Sequence, residues 1–197
     1  MKILAVAGGS GCGKTFFTNL LVNRLKETVV LPLDNYYHDR PDGIPIDQYN
    51  FDSPKAFDIN LYRQHIEELS SGKTVQMPNF CYASGKRFEE PSKKKPEKYL
   101  IIEGLHVLLY PNIRKMLNFS FYLESPLDVA VSRRCLRDIN DHKVTAEHSL
   151  KQYLKYVRPV FFELIQPTKK YADLVVQNKY ESRLDLFINN FLVENHI

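Results

Sequence analysis

Gly8-Gly9-Ser10-Gly11-Cys12-Gly13-Lys14-Thr15 decides the architecture of this chain. The run fits G-x-x-x-x-G-K-[ST], in which glycines let consecutive backbone N–H groups turn inward around a polyphosphate. Its flanks have the order that this geometry requires. Lys2-Ile3-Leu4-Ala5-Val6-Ala7 reads as a short buried strand, and residues 16–26 read as a helix with Phe17, Leu20, Leu21 and Leu25 on one face. The helix start adds its partial positive charge to the loop. Lys14 is then placed for the β- and γ-phosphates and the Thr15 hydroxyl for Mg²⁺. Gly8 to Thr15 are therefore the candidate site for a nucleoside triphosphate, ATP or GTP.

Outward from this loop, apolar strand-like segments alternate with helical ones. The strand candidates are 2–7, 28–33, 98–103, 118–124 and 172–176, and the helical stretches are 14–26, 59–70, 126–140, 145–165 and 182–193. The alternation predicts an α/β fold, a parallel sheet flanked by helices, with ligands at the carboxyl ends of the strands. Ser125-Pro126 reads as an N-cap followed by proline at the first helical position. Thr145 is a second candidate cap, and Pro159 should kink or split the helix that contains it. Residues 74–91 break the alternation and read as an inserted β-hairpin around Ala83-Ser84-Gly85, because Pro78 would spoil a central strand. Lys93-Lys94-Lys95 reads as a solvated loop.

Composition narrows the setting. A chain of 197 residues has room for one sizeable core, so residues 1–197 are expected to form a single domain. Apolar residues make up 44% and charged residues 25%, ordinary proportions for a globular protein. The net charge of +4 suits a protein that handles phosphates and does not argue for nucleic-acid binding. The apolar run of roughly 18 residues that a membrane span requires is absent. Met1 leads directly into the first strand, so no signal or transit peptide is expected. Cysteines at 12, 81 and 135 suggest a reducing cytoplasm rather than a disulfide framework or a metal cluster.

Two acids fall on the loop's edge of the sheet. Asp34 follows the second strand, and Glu103 ends the third. Phosphoryl transfer uses a carboxylate beside Mg²⁺ and often another that orients the attacking hydroxyl and takes its proton. Residue type and position let either acid fill either role. On the helix after Pro126, Arg134 and Arg137 share a face, while Arg133 is expected to point elsewhere. Such arginines either neutralise a transferring phosphoryl group or pair with Asp138 or Asp141 at the surface.

With these stretches in place the chain resembles the uridine kinase family of P-loop kinases, from about residue 2 to residue 176. The resemblance rests on GGSGCGKT at 8–15, LPLDNYY at 31–37, NFDSPKAFD at 50–58, LIIEG at 100–104, SRRCLRDIN at 132–140 and QYLKYVRPVFFELIQPTKKYADLVV at 152–176. It implies a five-stranded parallel sheet, the P-loop kinase fold, with a β-hairpin over the substrate and a helical, arginine-bearing lid at about 134–152. It implies transfer of the γ-phosphoryl group of ATP or GTP, with Mg²⁺, to a nucleoside 5′-hydroxyl, and it allows a homo-oligomer. By position, Asp34 matches the family's general base, and Tyr37 lines the nucleoside site. Asp52 holds the ribose hydroxyls with Phe51 beside the base, and Glu103 is the Mg²⁺-side acid. Arg134 and Arg137 lie near ribose and phosphates, and Gln152 closes the pocket. Phe80 and Tyr82 of the hairpin face the same site.

The chain departs from the family at the base reader. The family's P-x-Y-D-F-x-x-H-x-R reads here from Pro78 to Arg87, with Phe80 for the tyrosine and Gly85 for the histidine. His142 and Val144 stand where lid arginines are usual, and Gln177-Asn178-Lys179 replaces Pro-Arg-Gly. Three readings follow. The first is a kinase of a uridine- or cytidine-like nucleoside. The second is a kinase of another hydroxyl metabolite, of nicotinamide riboside, pantothenate or sugar type. The third is a catalytically weak nucleotide-binding protein.

Overall fold

The computed structural model describes residues 1–180 and 183–194. The chain runs β1 (Lys2–Gly8), α1 (Lys14–Leu25), β2 (Thr28–Pro32), α2 (Ile59–Ser70), β3 (Val75–Met77), β4 (Phe80–Cys81), β5 (Lys86–Arg87), β6 (Ser92–Lys94) and β7 (Tyr99–Glu103). It continues through α3 (Pro111–Arg114), β8 (Phe119–Glu124), α4 (Leu127–His142), α5 (Ala146–Gln152), α6 (Arg158–Val160), β9 (Leu174–Gln177) and α7 (Leu184–Glu194). The expected start of the last helix at residue 182 lies outside the described residues.

Five strands form one sheet in the order β2-β7-β1-β8-β9, and every pairing in it is parallel. Strands of such a sheet are apolar on both faces because helices cover both. β1 and β7 follow that rule, with all their residues buried except Lys2. The two-residue period of β1 sends Ile3, Ala5 and Ala7 into a core with Tyr36, Tyr62 and Ile66. Leu4 and Val6 enter the opposite core, with Phe17, Leu21, Phe121 and Phe191. Register then aligns the chemistry: Val6 and Pro32 both pair with Glu103, and Gly8 pairs with Leu123. The phosphate loop, Asp34 and Glu103 therefore share one carboxyl edge.

Three local expectations change. The insertion is a two-tier hairpin. β4 and β5 pair antiparallel around the turn Tyr82–Gly85, and below them β3 pairs with β6, Val75 opposite Lys94. Lys93 and Lys94 thus lie on a strand rather than in a loop, because a two-stranded ribbon leaves alternate side chains in solvent. Ser125 does not cap α4. Its hydroxyl is turned inward and donates to the Asn178 carbonyl at 2.9 Å. Thr145 does cap α5, accepting from the His148 amide at 3.2 Å. The segment around Pro159 stays helical by changing its winding. Widened π turns at Tyr153–Val157 and Phe161–Ile165 flank α6, and a 3₁₀ turn follows at Gln166–Tyr171. A π turn absorbs the hydrogen bond that proline cannot donate.

Candidate functional site

The loop between β1 and α1 has the backbone geometry that an anion cradle requires. Gly11 has φ +77, and a Cβ there would lie 2.0 Å from the Ala130 carbonyl oxygen, so only glycine lets the loop pass beneath α4. Gly13 caps α1 with φ 86 and no side-chain bond, and no acid sits in the first turn, so the helix amides stay available. Lys14 Nζ donates to the Gly9 carbonyl at 3.1 Å, folded back over the loop. Cys12 is anchored from behind. Its carbonyl accepts from Asn178 Nδ2 at 2.9 Å, and Asn178 is fully buried.

Above the loop lies a cavity of about 180 Å³, floored by Gly11, Gly13, Lys14 and Thr15 and roofed by Arg133, Arg134 and Arg137. Arg134 Nη1 donates to Ser10 Oγ at 2.8 Å. Arg133 was expected to point away. It faces the same cavity because residues 133 and 137 are four apart and lie one above the other on α4. The arginines also pair with Asp138, which is buried rather than at the surface as expected. Arg134 Nε lies 3.4 Å from Asp138 Oδ2, Arg137 Nη2 donates to Oδ1 at 3.2 Å, and Ser149 Oγ of α5 donates to Oδ2 at 2.7 Å. Asp138, itself buried, thereby fixes the arginine fan and ties α4 to α5.

Thr15 Oγ1 donates to Glu103 Oε1 at 2.9 Å. Burial pushes the Glu103 carboxyl up, while the Lys14 charge and the Thr15 donation oppose the rise. Hydroxyl and carboxylate are hard oxygen donors of the kind Mg²⁺ takes, so the pair fits that ion beside Lys14. Among the described residues no group of three or more His, Cys, Asp or Glu could hold a metal alone.

Asp34 and Asp52 adjoin this cluster. Asp34 sits in a short turn, Leu33–Tyr36, directly after β2. Its Oδ1 is buried and accepts no hydrogen bond. Asp52 is buried, and burial raises its pKa; the charge of Arg134 opposes the rise, Asp34 adds to it, and Arg137 and Lys14 oppose it further. Two carboxylates, the loop lysine and the α4 arginines thus converge electrostatically. Tyr37 stacks on Phe57 at 4.2 Å and meets Phe51, Phe80 and Tyr82 at 5.0–5.7 Å between ring centroids. The Tyr82 phenol belongs to the same group; burial raises its pKa and the Asp34 charge raises it further. Gln152 lies at the rim, where its amide donates to the Asp47 carbonyl, and Tyr156 beside it donates to the Gln48 carbonyl at 2.9 Å.

The family model for "Phosphoribulokinase / Uridine kinase family" matches residues 3–184. The chain belongs to this family. The uridine kinases of Serratia proteamaculans (strain 568) and of Yersinia pestis (strain Pestoides F) are each 34% identical over 194 residues, covering 94% of this chain and 91% of theirs. A solved structure from Silicibacter sp. TM1040 superposes with TM-score 0.70 at 22% identity, covering 89% of each chain. Membership makes the chain a phosphotransferase that acts on a hydroxyl group, and the family implies a nucleotide as phosphate donor.

Within the family frame, several residues went unrecognised in the sequence. Asp138 and Ser149 hold the arginines; the spacing of Asp138 four residues after Arg134 was a signal read only as surface pairing. Arg87 donates to the Tyr37 carbonyl at 2.8 Å and pairs with Asp58 at 3.3 Å, clamping the hairpin to the segment that carries Asp34. Arg40 fills the space behind Gly85, where a Cβ would meet its Nε at 2.9 Å. No helix among the described residues is long and apolar enough to cross a membrane.

Proposed function

We propose that this chain transfers the γ-phosphoryl group of ATP, with Mg²⁺, to the 5′-hydroxyl of a uridine- or cytidine-like nucleoside. The observation that carries the reading is the free, buried Oδ1 of Asp34, an acceptor with no partner, on the same sheet edge as Lys14 and Glu103. The uridine kinase relatives support the choice of substrate class.

The acceptor hydroxyl donates to Asp34 Oδ1, which orients its oxygen and takes its proton as that oxygen attacks the γ-phosphorus. The bond from the γ-phosphorus to the bridging oxygen breaks, and ADP leaves. Lys14 holds the β- and γ-phosphates, while Arg134 and Arg137 neutralise the charge spreading over the transferred group. Thr15 and Glu103 would hold Mg²⁺, which supplies charge neutralisation at the phosphates when bound. Asp52 accepts from ribose hydroxyls, and Phe51, Phe80, Tyr37 and Tyr82 offer apolar walls to a ring.

A second reading, another hydroxyl metabolite of nicotinamide riboside, pantothenate or sugar type, is favoured by Phe80 and Arg40. Phe80 has no hydroxyl for a pyrimidine edge, and Arg40 occupies the space at Gly85. A site that hydrogen-bonds a base rejects analogues by about 10⁴-fold or more, and these donors are missing. A coupled ADP-release screen over uridine, cytidine, nicotinamide riboside and pantothenate separates the readings. Strongest turnover with a pyrimidine nucleoside supports the first, and strongest turnover with another alcohol supports the second. ATP consumption that ignores every acceptor contradicts both.

A further inference from the structure

His106 lies three residues after Glu103 and takes no part in the steps above. It is 1% exposed. Its Nε2 lies 2.7 Å from the Asp52 carbonyl oxygen, and a carbonyl only accepts, so Nε2 carries the proton. Burial lowers the basicity of the ring, which keeps it neutral. The tautomer is then fixed, with Nδ1 as an unprotonated acceptor. That Nδ1 is buried and has no hydrogen-bond partner. Its ring stands edge-on to Phe57 at 5.5 Å, behind the Tyr37 stack, and feels the charges of Asp34 and Lys14.

Packing alone does not account for this arrangement. An unpaired buried nitrogen is destabilising, and leucine or phenylalanine would fill the space without it. Asp52 sits just before a 3₁₀ turn at Pro54–Ala56, on a loop rather than a strand, so its carboxylate is only as well placed as its backbone. We propose that His106 is a positioning residue for the acceptor. Nε2–H holds the Asp52 backbone in register, and the Nδ1 lone pair accepts a hydrogen bond from a donor that arrives with the acceptor alcohol. The inference rests on Asp52 lying in the acceptor site but not on the acceptor being a pyrimidine nucleoside.

Two variants divide the two nitrogens. His106→Gln places an amide N–H where Nε2–H was and removes the Nδ1 acceptor; His106→Phe keeps the ring and removes both. KM is measured for whichever of uridine, cytidine, nicotinamide riboside and pantothenate gives the highest turnover with the wild type. Acceptor KM should rise in the order wild type, Gln, Phe, reaching tenfold or more for Phe, while KM for ATP stays within twofold. Gln equal to wild type overturns the Nδ1 contact, and Gln equal to Phe overturns the Asp52 brace. Equal rises in both KM values reduce His106 to a structural role and also overturn the proposal.

Histidine ¹⁵N NMR reads the same claim without turnover. The His106 Nε2–H tautomer should be present in the free protein. Its Nδ1 resonance should move when that same alcohol is added together with a non-hydrolysable ATP analogue, and stay fixed with the analogue alone. An Nδ1–H tautomer, or an Nδ1 signal indifferent to the alcohol, contradicts the inference. Absence of turnover with all four alcohols would count against the function proposed above. The tautomer would still test the Asp52 brace.

Discussion

Thr15 of α1 and Glu103 of β7 are joined by a hydrogen bond of 2.9 Å, from hydroxyl to carboxylate, across the start of the nucleotide site. The bond brings two oxygen donors together before any phosphate arrives. Glu103→Gln keeps the shape and removes the charge. It should raise the Mg²⁺ concentration for half-maximal ADP release by tenfold or more, with a smaller change in ATP affinity measured without the metal. An unchanged Mg²⁺ requirement would remove Glu103 from the metal side.

Asp34→Asn should lower kcat by about 10²–10⁴-fold, the range of a lost general base. ATP binding, read by fluorescence titration, should hardly change, because Asp34 lies in the turn after β2 and outside the phosphate loop. A kcat close to wild type would show that another group accepts the proton.

Asp52 carries a testable sign. Burial raises its folded pKa above the ordinary carboxylate range near 3.9, despite the opposing charge of Arg134. The folded state then holds the proton more tightly than the unfolded chain. Its contribution is fully present below the unfolded value and is lost as pH rises through the folded one. Charged Asp52 therefore destabilises the ligand-free protein at neutral pH. Asp52→Asn should raise Tm at pH 8, by about 2–4 °C for each kcal/mol recovered. The gain should shrink toward pH 4, and kcat/KM for the acceptor should fall. A lower Tm at pH 8 would mean that Arg134 and Lys14 outweigh burial.

Gly85 sets a limit on rebuilding the base reader. It has φ +68, and Arg40 stands 2.9 Å from where a Cβ would be. Phe80→Tyr with Gly85→His restores the family residues but strains the turn, by about 1–3 kcal/mol for the backbone alone. The double variant should lose thermal stability. Adding Arg40→Ala should recover part of it and raise kcat/KM for uridine above that of the double variant. If the triple variant gains nothing in either, the pocket differs by more than these side chains.

Much of this was legible in the residues because it is local. The phosphate loop needs eight consecutive residues and a strand before it, and the parallel sheet shows in buried runs such as Leu100-Ile101-Ile102. Asp34 and Glu103 stand at the strand ends expected of them, because strand ends can be read from where apolar runs stop. The remainder depends on long-range contact. Arg40 meets Gly85 across 45 residues, His106 meets Asp52 across 54, and Asn178 meets Cys12 across 166. No spacing rule joins such pairs. Arg133 is different: its register with Arg137 was present in the helix period, and only the assumed direction of a long side chain hid it.

The central claim is that Asp34 and Asp52 hold a nucleoside so that its 5′-oxygen faces the γ-phosphate. ADP release with uridine, 5′-deoxyuridine and 2′,3′-dideoxyuridine under one set of conditions tests it most directly. Uridine should support turnover, 5′-deoxyuridine should give only the background without acceptor, and the dideoxynucleoside should lose 10-fold or more in kcat/KM through its missing partners for Asp52. Equal ADP release with uridine and 5′-deoxyuridine would contradict the account.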